Sequence, residues 1–417
     1  MDVDAPTQGM RDCAYPAGPM KVPRPQRVFL YVQHLLGIGH LKRALTLARA
    51  MQARALQVTL VSGGFQVAGL ATDGIEMVQL PPAGAADLTF ASLLDAAGNP
   101  VDEAWRRARR EALLAAYQRV DPQILMVELF PFGRRQMRFE ILPLLEAAAA
   151  ARPRPLIVSS VRDIVGGGQR SADRQRETLG YVERYFDRVM VHGDPTLIAF
   201  DRSFGLAGAL GARLHYTGYV VDRAASAAAD PTAGRDEVMV SAGGGAVGQA
   251  LLETALRARP RSRLAQRIWR VLTGVNAPAQ EFAAIQRLAA DQGHGQGQGR
   301  VIVERARDDF VTRLANCAVS VSQAGYNTVM EVLAANTRAV VVPFAAGAET
   351  EQSLRAGLLA ERGLLQVIEE SHLSPEVLAE AIDRAASDAT RSGSALDLDG
   401  ARRSAELVAC WVRERHR

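Results

Sequence analysis

The sequence is poor in cysteine and has no long apolar run. Its three cysteines, Cys13, Cys317 and Cys410, lie far apart and show no metal-type spacing. We therefore expect reduced thiols in a cytoplasmic protein. No run of about 18 uncharged apolar residues occurs, so no helix is expected to span a membrane. Residues 1–26 lack the apolar segment of a signal peptide and are predicted to form a disordered tail.

The chain is long enough to form two hydrophobic cores. A length of 417 residues suits two domains of roughly 200 residues each. The hydrophobic fraction of 48% and the charged fraction of 23% indicate a globular protein rather than a disordered one. The net charge is only +4, and we expect no nucleic-acid partner.

Lysine is almost absent, so arginine carries nearly all of the positive charge. Residues 105–110 place four arginines on one predicted helix. Such a run is usually a solvated helix face. The alternative is a patch that rests on anionic lipid, in a protein peripheral to the inner face of the membrane, or that meets an anionic acceptor. The sequence leaves both interpretations open.

Apolar, β-rich runs alternate with helical patterns along the whole chain, and one helix is predicted over residues 41–53. Continuous apolar strands joined by helical crossovers predict parallel sheets that are covered on both faces. We therefore predict an α/β fold with two Rossmann-like domains. The predicted strands are residues 28–32, 58–62, 124–127, 156–159 and 189–192 in the first half, and 237–241, 269–273, 301–304, 318–322 and 339–343 in the second.

One segment interrupts this alternation and divides the chain. Residues 223–235 are rich in Ala, Ser, Asp, Pro and Gly, which is typical of an interdomain linker. We predict an N-terminal domain over residues 27–222 and a C-terminal domain over residues 236–417. The final helix, around residues 401–416, is expected to pack back across the linker onto the first domain.

The first segment that suggests chemistry is a glycine turn between a strand and a helix. Gly37 and Gly39 allow a tight turn and leave room for a ligand against the main chain. His40 follows in the first helical turn, where the helix dipole disfavours imidazolium and favours a neutral ring. A neutral histidine can act as the general base that deprotonates a sugar hydroxyl. The alternative is a histidine that only completes the turn, and His34 lies in a less favourable context.

A second glycine turn opens the C-terminal half. Gly243, Gly244 and Gly245 follow a predicted strand and precede a helix. Consecutive backbone N–H groups at a helix N-terminus can bind a phosphate. The turn lacks the lysine of a P-loop, which argues against ATP hydrolysis.

The most specific segment begins at Ser322, where a strand ends, and continues through Gly325 and Asn327. A helix is predicted to begin near Thr328. Thr328 and Glu331 have the spacing of a capping box, in which Glu331 binds its own helix terminus. In the functional interpretation, the Glu331 carboxylate instead accepts hydrogen bonds from two vicinal ribose hydroxyls. Residues alone do not decide between these roles.

Two acidic motifs lie further along the chain. Glu351 and Gln352 begin another predicted helix, where a carboxylate usually stabilises the helix dipole, but in a cleft they suit sugar hydroxyls. Asp397 and Asp399 form a D-x-D pattern, yet they precede a helix and do not follow a strand. We interpret this pattern as coincidental and expect no metal site.

Taken in order, these segments resemble the GT-B glycosyltransferases, and within them the MurG-like family 28 group. The match is strongest over residues 308–363. The resemblance implies two Rossmann-like domains that face each other across a cleft, with His40 as the catalytic base. It implies that the donor is held by the C-terminal half, with the main chain around Arg307 beside the base and Glu331 on the ribose. The other implied donor contacts are Gly243, Gly244, Gly245, Ser322, Gly325, Asn327, Thr328, Glu351 and Gln352.

The acceptor half departs from the family. MurG-like enzymes show G-G-x-G-G-H where this chain has Leu-Gly-Ile-Gly-His at residues 36–40, and residues 128–135 have no assigned counterpart. The lipid-linked acceptor of MurG is therefore not transferred to this chain. The residues expected on the acceptor side are Gly37, Gly39, Glu128, Arg162 and Asp163.

These observations predict a metal-independent glycosyltransferase that moves a hexosyl group from a nucleotide-diphosphate sugar, expected to be UDP-linked, to an acceptor hydroxyl. The donor is a substrate, and no cofactor is expected. One alternative is a UDP-sugar 2-epimerase on the same fold, with Asp163 and Glu128 as its acid and base. Another is a non-catalytic nucleotide-sugar-binding protein. The sugar, the acceptor and the oligomeric state are not specified by the sequence.

Overall fold

A computed structural model of the chain describes residues 26–35, 37–67, 70, 72, 74–85, 92–166, 171–222, 230–242, 248–274, 277–291, 300–307, 309–344, 351–388 and 395–415. The predicted tail at residues 1–26 lies outside the described residues except for its last position. The glycine turn of Gly243, Gly244 and Gly245 and most of the predicted linker also lie outside them.

The first half of the chain forms a seven-stranded parallel sheet. Its strands are β1 (Gln26–Val32), β2 (Leu56–Ser62), β3 (Glu76–Gln79), β6 (Ile124–Glu128), β7 (Leu156–Arg162), β8 (Arg188–His192) and β9 (Leu214–Tyr216). Two short strands, β4 (Gly84–Ala85) and β5 (Leu93–Leu94), pair separately. The spatial order is β3-β2-β1-β6-β7-β8-β9. The helices are α1 (Gly39–Gln52), α2 (Glu103–Val120), α3 (Arg138–Ala150) and α4 (Ala172–Tyr185).

The second half forms a six-stranded parallel sheet. Its strands are β10 (Val238–Ser241), β11 (Trp269–Thr273), β12 (Val301–Arg305), β13 (Val319–Gln323), β14 (Ala339–Val342) and β15 (Gln366–Val367), in the order β12-β11-β10-β13-β14-β15. The helices are α5 (Gln249–Ala258), α6 (Ala279–Asp291), α7 (Phe310–Asn316), α8 (Tyr326–Ala334), α9 (Glu351–Glu361), α10 (Pro375–Ser387) and α11 (Gly400–Arg415).

Alternating side chains of the strands form a core on each face of both sheets. In β1, for example, Phe29 and Tyr31 pack into one core of the first sheet, and Val28 and Leu30 pack into the other. All these side chains are fully buried. Because both faces of each sheet are buried, the strands appear in the sequence as continuous apolar segments. The α/β prediction with two Rossmann-like sheets is confirmed.

The last helix, α11, packs on the first sheet and not on the second. Val408, Trp411 and Val412 are buried in the same core as the α1 side chains, and Val220 pairs with Asp399 just before the helix. The chain therefore passes between the two halves twice, so two connections join them.

The predicted helix with four arginines corresponds to α2, and one of its arginines, Arg109, fits neither the solvated face nor the anion-binding patch. Arg109 is fully buried, and its guanidinium binds Glu140 through Nε at 2.6 Å and Gln33 through a terminal nitrogen at 2.5 Å. Arg107, in contrast, is exposed. The run is therefore a mixed face in which Arg109 is a core ion-pair partner, because it points towards Glu140 on the neighbouring α3.

Candidate active site

Both sheets reverse their strand order near the middle, and the predicted site residues lie at these reversals. In the first sheet β1 and β6 are neighbours; His40 follows β1 at the start of α1, and Glu128 ends β6. In the second sheet β10 and β13 are neighbours, with Ser241 paired to Ser322. Parallel α/β sheets form ligand crevices at the carboxyl ends of strands where the order reverses. The topology therefore provides one such crevice in each half.

His40 and Glu128 form a hydrogen-bonded pair in the first crevice. The His40 Nδ1 atom lies 2.7 Å from Glu128 Oε1. Because an ionised carboxylate can only accept, Nδ1 carries the proton and Nε2 has a free lone pair. Within the described part of the chain, Nε2 has no hydrogen-bond partner. This arrangement is that of a general base whose orientation is set by a carboxylate.

The environment keeps this pair in the ionisation state that a base requires. Burial lowers the pKa of His40, and this effect outweighs the opposing charge of Glu128. Burial also opposes ionisation of Glu128, but His40 and Arg43 hold its pKa below the usual range. Arg43 forms an ion pair with the same carboxylate oxygen. His40 is thus neutral, as predicted, but burial rather than the helix dipole is the main cause.

The first turn of α8 brings the second half of the chain against this pair. Asn327 Nδ2 donates to the main-chain oxygen of Gly39 at 3.2 Å. A Cβ atom on Gly39 would lie 3.2 Å from that same nitrogen, so any larger residue would press on the Asn327 side chain and the close approach favours glycine at this position. Gly37, in contrast, has open space around its Cα, and no described contact requires glycine there.

Tyr326 reinforces the contact between the halves. Its hydroxyl donates to the main-chain oxygen of His192 at 3.0 Å. Two guanidinium groups lie over its ring, with Arg43 at 5.4 Å and Arg355 at 5.1 Å from the ring centre. Such cation–π contacts stabilise a buried ring in this position. The base and the start of α8 are therefore held as one unit.

A cluster of buried charges lies beside the pair and joins residues predicted on opposite sides of the cleft. Arg355 binds Asp163 at 2.8 Å and Glu351 at 2.9 Å, and Arg162 binds Glu351 at 2.7 Å. Asp163 also accepts from the Tyr219 hydroxyl at 3.2 Å. Arg355 therefore joins Asp163 to Glu351, Arg162 binds Glu351 directly, and the charges compensate within the protein.

Gln352 also has a partner in the protein. Its side-chain oxygen accepts from the main-chain N–H of Phe344 at 3.1 Å. This contact fixes the chain after β14 relative to the start of α9. It leaves the Gln352 amide nitrogen as the group that can reach a ligand.

Glu331 differs from these groups because its carboxylate is unpartnered. Helix α8 begins at Tyr326, its N-cap is Gly325, and no side chain caps it. The capping-box alternative for Thr328 and Glu331 is therefore excluded, since the helix starts two residues earlier and places Glu331 in its second turn. Within the described residues the carboxylate makes no hydrogen bond or ion pair. Burial raises its pKa to about 7.

Three buried hydroxyl groups at the carboxyl edge of the second sheet have no hydrogen-bond partner among the described residues. They belong to Ser241, Thr273 and Ser322, at or near the ends of three adjacent strands. Buried polar groups normally have hydrogen-bond partners, so orphaned hydroxyls at a crevice indicate a polar ligand. Ser322 is one of the predicted donor contacts.

The side chain of Arg307 is bound by acids of its own surroundings. It lies 2.6 Å from Asp309 and 3.0 Å from Glu304, and the main chain before it is tied to the sheet because Ala306 donates to Thr273. These bonds hold the main chain at residues 306–307 rigid at the carboxyl edge. The side chain itself has little capacity for a further ligand.

The D-x-D pattern is part of the second chain crossing. Asp397 forms an ion pair with Arg403 at 2.8 Å, and Asp399 forms one with Arg402 at 3.2 Å. Among the residues that the structure describes, no group of three or more potential metal ligands occurs.

Several residues of the site were not predicted from the sequence. Arg43 follows His40 by three residues, and this spacing places both on one face of α1. Arg355 follows Glu351 by four residues for the same reason. Arg134 had no such local signal, because it reaches the site from the loop after β6.

Comparison with known proteins agrees with this architecture. Residues 240–403 match the sequence model of the glycosyltransferase family 28 C-terminal domain. The curated relatives include the UDP-N-acetylglucosamine–N-acetylmuramyl-(pentapeptide) pyrophosphoryl-undecaprenol N-acetylglucosamine transferases of Methylibium petroleiphilum, 37% identical over 18% of this chain and 20% of the relative, and of Brucella anthropi, 33% identical over 20% and 22%. The chain therefore spans about a fifth of the length of these relatives.

Solved structures match over nearly the whole chain. The glycotransferase of kitacinnamycin has a TM-score of 0.58 at 18% identity, with 94% of this chain and 99% of that chain covered. MurG of Acinetobacter baumannii has a TM-score of 0.52 at 16% identity, with 94% and 100% covered. At these identities the likeness shows the fold. Among the described residues, no helix is long and apolar enough to cross a membrane.

Proposed function

We propose that this protein, a two-domain GT-B chain whose second half carries a glycosyltransferase family 28 C-terminal domain, transfers a glycosyl group from a nucleotide-diphosphate sugar to an acceptor hydroxyl. The observation that carries the proposal is the His40–Glu128 pair, which the second half of the chain contacts at Gly39. The general base lies in one half of the chain, and polar groups without described partners lie in the other. This division suits an enzyme that brings two substrates together.

The geometry supports a single displacement. The acceptor hydroxyl gives its proton to His40 Nε2 while its oxygen attacks the anomeric carbon, and the bond between that carbon and the phosphate oxygen breaks. The imidazolium that forms is stabilised by Glu128, to which Nδ1–H is already bonded. The diphosphate is proposed to leave beside the N-terminus of α5, where backbone N–H groups stabilise negative charge. The chemistry needs no divalent metal, and UDP is the proposed nucleotide.

Glu331 is proposed to bind the ribose of the donor. The carboxylate can accept two hydrogen bonds, and no described residue uses that capacity. Because burial raises its pKa to about 7, part of the population is protonated at neutral pH. Hydrogen bonds from two vicinal hydroxyls favour the ionised form, so donor binding and deprotonation are coupled.

Replacing Glu331 with alanine is expected to weaken UDP binding by about tenfold or more, since hydrogen bonds to a charged group contribute about 1.5–3 kcal/mol. In the unaltered protein, UDP affinity should rise from about pH 6 to about pH 8 as the carboxylate ionises. A Glu331→Gln protein should lose this part of the pH dependence. Calorimetric titration with UDP measures both effects. Unchanged affinity in Glu331→Ala would show that the ribose lies elsewhere.

A donor panel tests the proposed reaction class. Incubation with UDP-, dTDP- and GDP-sugars should release one nucleoside diphosphate, and the release should depend on His40. A 2-epimerase would convert the sugar without an acceptor, but Glu128 and Asp163, its required acid and base, are both bound to arginines. A non-catalytic binding protein would bind the nucleotide and release nothing.

The acceptor and the cellular location belong to the same proposal. Because residues 128–135 depart from the MurG-like pattern, a lipid-linked acceptor is not part of it. We propose a cytoplasmic protein that can contact the membrane surface only peripherally. Sedimentation with anionic vesicles at low and high salt measures such contact.

A further inference from the structure

Arg134 differs from three other arginines of the candidate site in having no carboxylate bound to it. The other three are Arg43, Arg162 and Arg355. Arg43 binds Glu128, Arg162 binds Glu351, and Arg355 binds Asp163 and Glu351. Arg134 is the fourth, and it forms no ion pair with any described residue. Among these four arginines, Arg134 is therefore the one that no described carboxylate binds directly.

Arg134 is held in place by the backbone and not by a carboxylate. Its Nε donates to the main-chain oxygen of Gln33 at 2.7 Å, which leaves both terminal nitrogens without a partner among the described residues. Its backbone adopts a φ of 59°, a left-handed conformation that is unfavourable for a residue with a side chain. Phe130 and Phe132 anchor the same loop in the core. The loop therefore fixes the guanidinium in the cleft.

Arg134 lies between the two segments that supply the base and its partner, because it binds Gln33, which directly follows β1, and belongs to the loop that follows Glu128. Burial is the largest cause that lowers the pKa of both His34 and His40, and the positive charge of Arg134 lowers both further. The pKa of Arg134 itself is lowered to about 10, first by burial, although Glu128 opposes the shift. A partly buried cation that lacks a counter-charge is unfavourable unless a ligand supplies one. A guanidinium with two free nitrogens matches a carboxylate or phosphate in geometry.

We propose that Arg134 binds an anionic group, a carboxylate or a phosphate, on the acceptor substrate. This inference rests on the proposed transfer reaction, because it takes the substrate that meets His40 Nε2 to be the acceptor. Arg134 belongs to the same half of the chain as His40, whereas the unpartnered Ser241, Ser322 and Glu331 belong to the other half. Arg134 is thus a specificity-determining residue that orients an acidic acceptor with its hydroxyl at His40.

The anion that Arg134 binds could also be the diphosphate of the donor, and the experiment separates these sources. Phenyl phosphate is titrated into the full-length protein in the presence of saturating UDP, which occupies the donor phosphate site. Calorimetry is used for the unaltered protein, Arg134→Met and Arg135→Met. Arg135 is a matched control because it is the next residue, is exposed and is paired with Glu177. UDP affinity is measured separately for each protein, and far-ultraviolet circular dichroism reports that each variant is folded.

The proposal expects phenyl phosphate to bind the UDP-saturated protein and to bind Arg134→Met at least about tenfold more weakly, since a lost charge-assisted pair has this effect. Arg135→Met should match the unaltered protein, and UDP affinity should stay the same in all three. Equal phenyl phosphate binding by Arg134→Met, or no binding by the unaltered protein, overturns the proposal. A loss of UDP affinity in Arg134→Met assigns the anion to the donor and overturns it as well.

Failure of the transfer reaction would be visible separately. If the donor panel releases no nucleotide, but phenyl phosphate binding still depends on Arg134, the anion site stands and the transferase proposal fails. If UDP does not bind, the titration is made without it, and the comparison of Arg134→Met with Arg135→Met decides the anion site alone.

Discussion

Replacing His40 with alanine is expected to lower turnover by about 10²- to 10⁴-fold, the usual contribution of a positioned general base. UDP affinity should be retained, because the unpartnered donor-side groups belong to the other half of the chain. The measurement is nucleotide release in the presence of acceptor, together with calorimetric titration of UDP. Turnover close to that of the unaltered protein would exclude His40 as the base.

Two further variants make this test specific. His372→Ala is a matched control, because His372 is exposed and its ring pairs with the exposed Glu369. The turnover of this variant should be unchanged. Glu128→Gln should lose most of the turnover, because an uncharged amide cannot stabilise the imidazolium. If Glu128→Gln were fully active while His40→Ala was inactive, the carboxylate would serve only to hold Arg43.

Replacing Arg355 with methionine is expected to lower the free energy of unfolding by about 3–5 kcal/mol, the cost of leaving buried charges without their partner. Arg355 is fully buried and binds Asp163 and Glu351, which lie in different halves of the chain. Burial opposes its charge, but the two carboxylates raise its pKa above the usual value. Urea denaturation measures the loss through the shift of the transition midpoint.

The control for Arg355 is an ion pair of the same spacing on the surface. Arg384 and Glu380 are four residues apart in α10, and both are exposed. Arg384→Met should change stability by less than about 0.5 kcal/mol. Adding Asp163→Asn to Arg355→Met should recover part of the loss, because Asp163 is buried and has no other ion-pair partner among the described residues, whereas Glu351 keeps its ion pair with Arg162. Equal midpoints for Arg355→Met and Arg384→Met would contradict the assignment.

The sequence predicts the backbone of this protein well. Each of the ten predicted strands corresponds to a strand of the two sheets, with ends that differ by at most three residues. Buried strands read as apolar runs whatever their partners are, so hydrophobicity alone identifies them. The additional strands β3, β9 and β15 were missed because they are short and partly exposed. The start of α8 was missed because it has no side-chain cap that a sequence pattern could reveal.

The sequence by itself therefore determined two Rossmann-like sheets, the position of His40 at the start of a helix, and the segment that carries Glu331. Only the tertiary structure decided which groups meet. His40 and Glu128 are 88 residues apart and come together because β1 and β6 are neighbours at the reversal of strand order. Arg355 joins Asp163 to Glu351 across the two halves in the same way. The strand order determines these pairings, and burial determines the ionisation state of His40. Neither can be inferred from a local sequence pattern. Only the tertiary structure shows that Arg134, unlike Arg43, Arg162 and Arg355, forms no ion pair with a described residue.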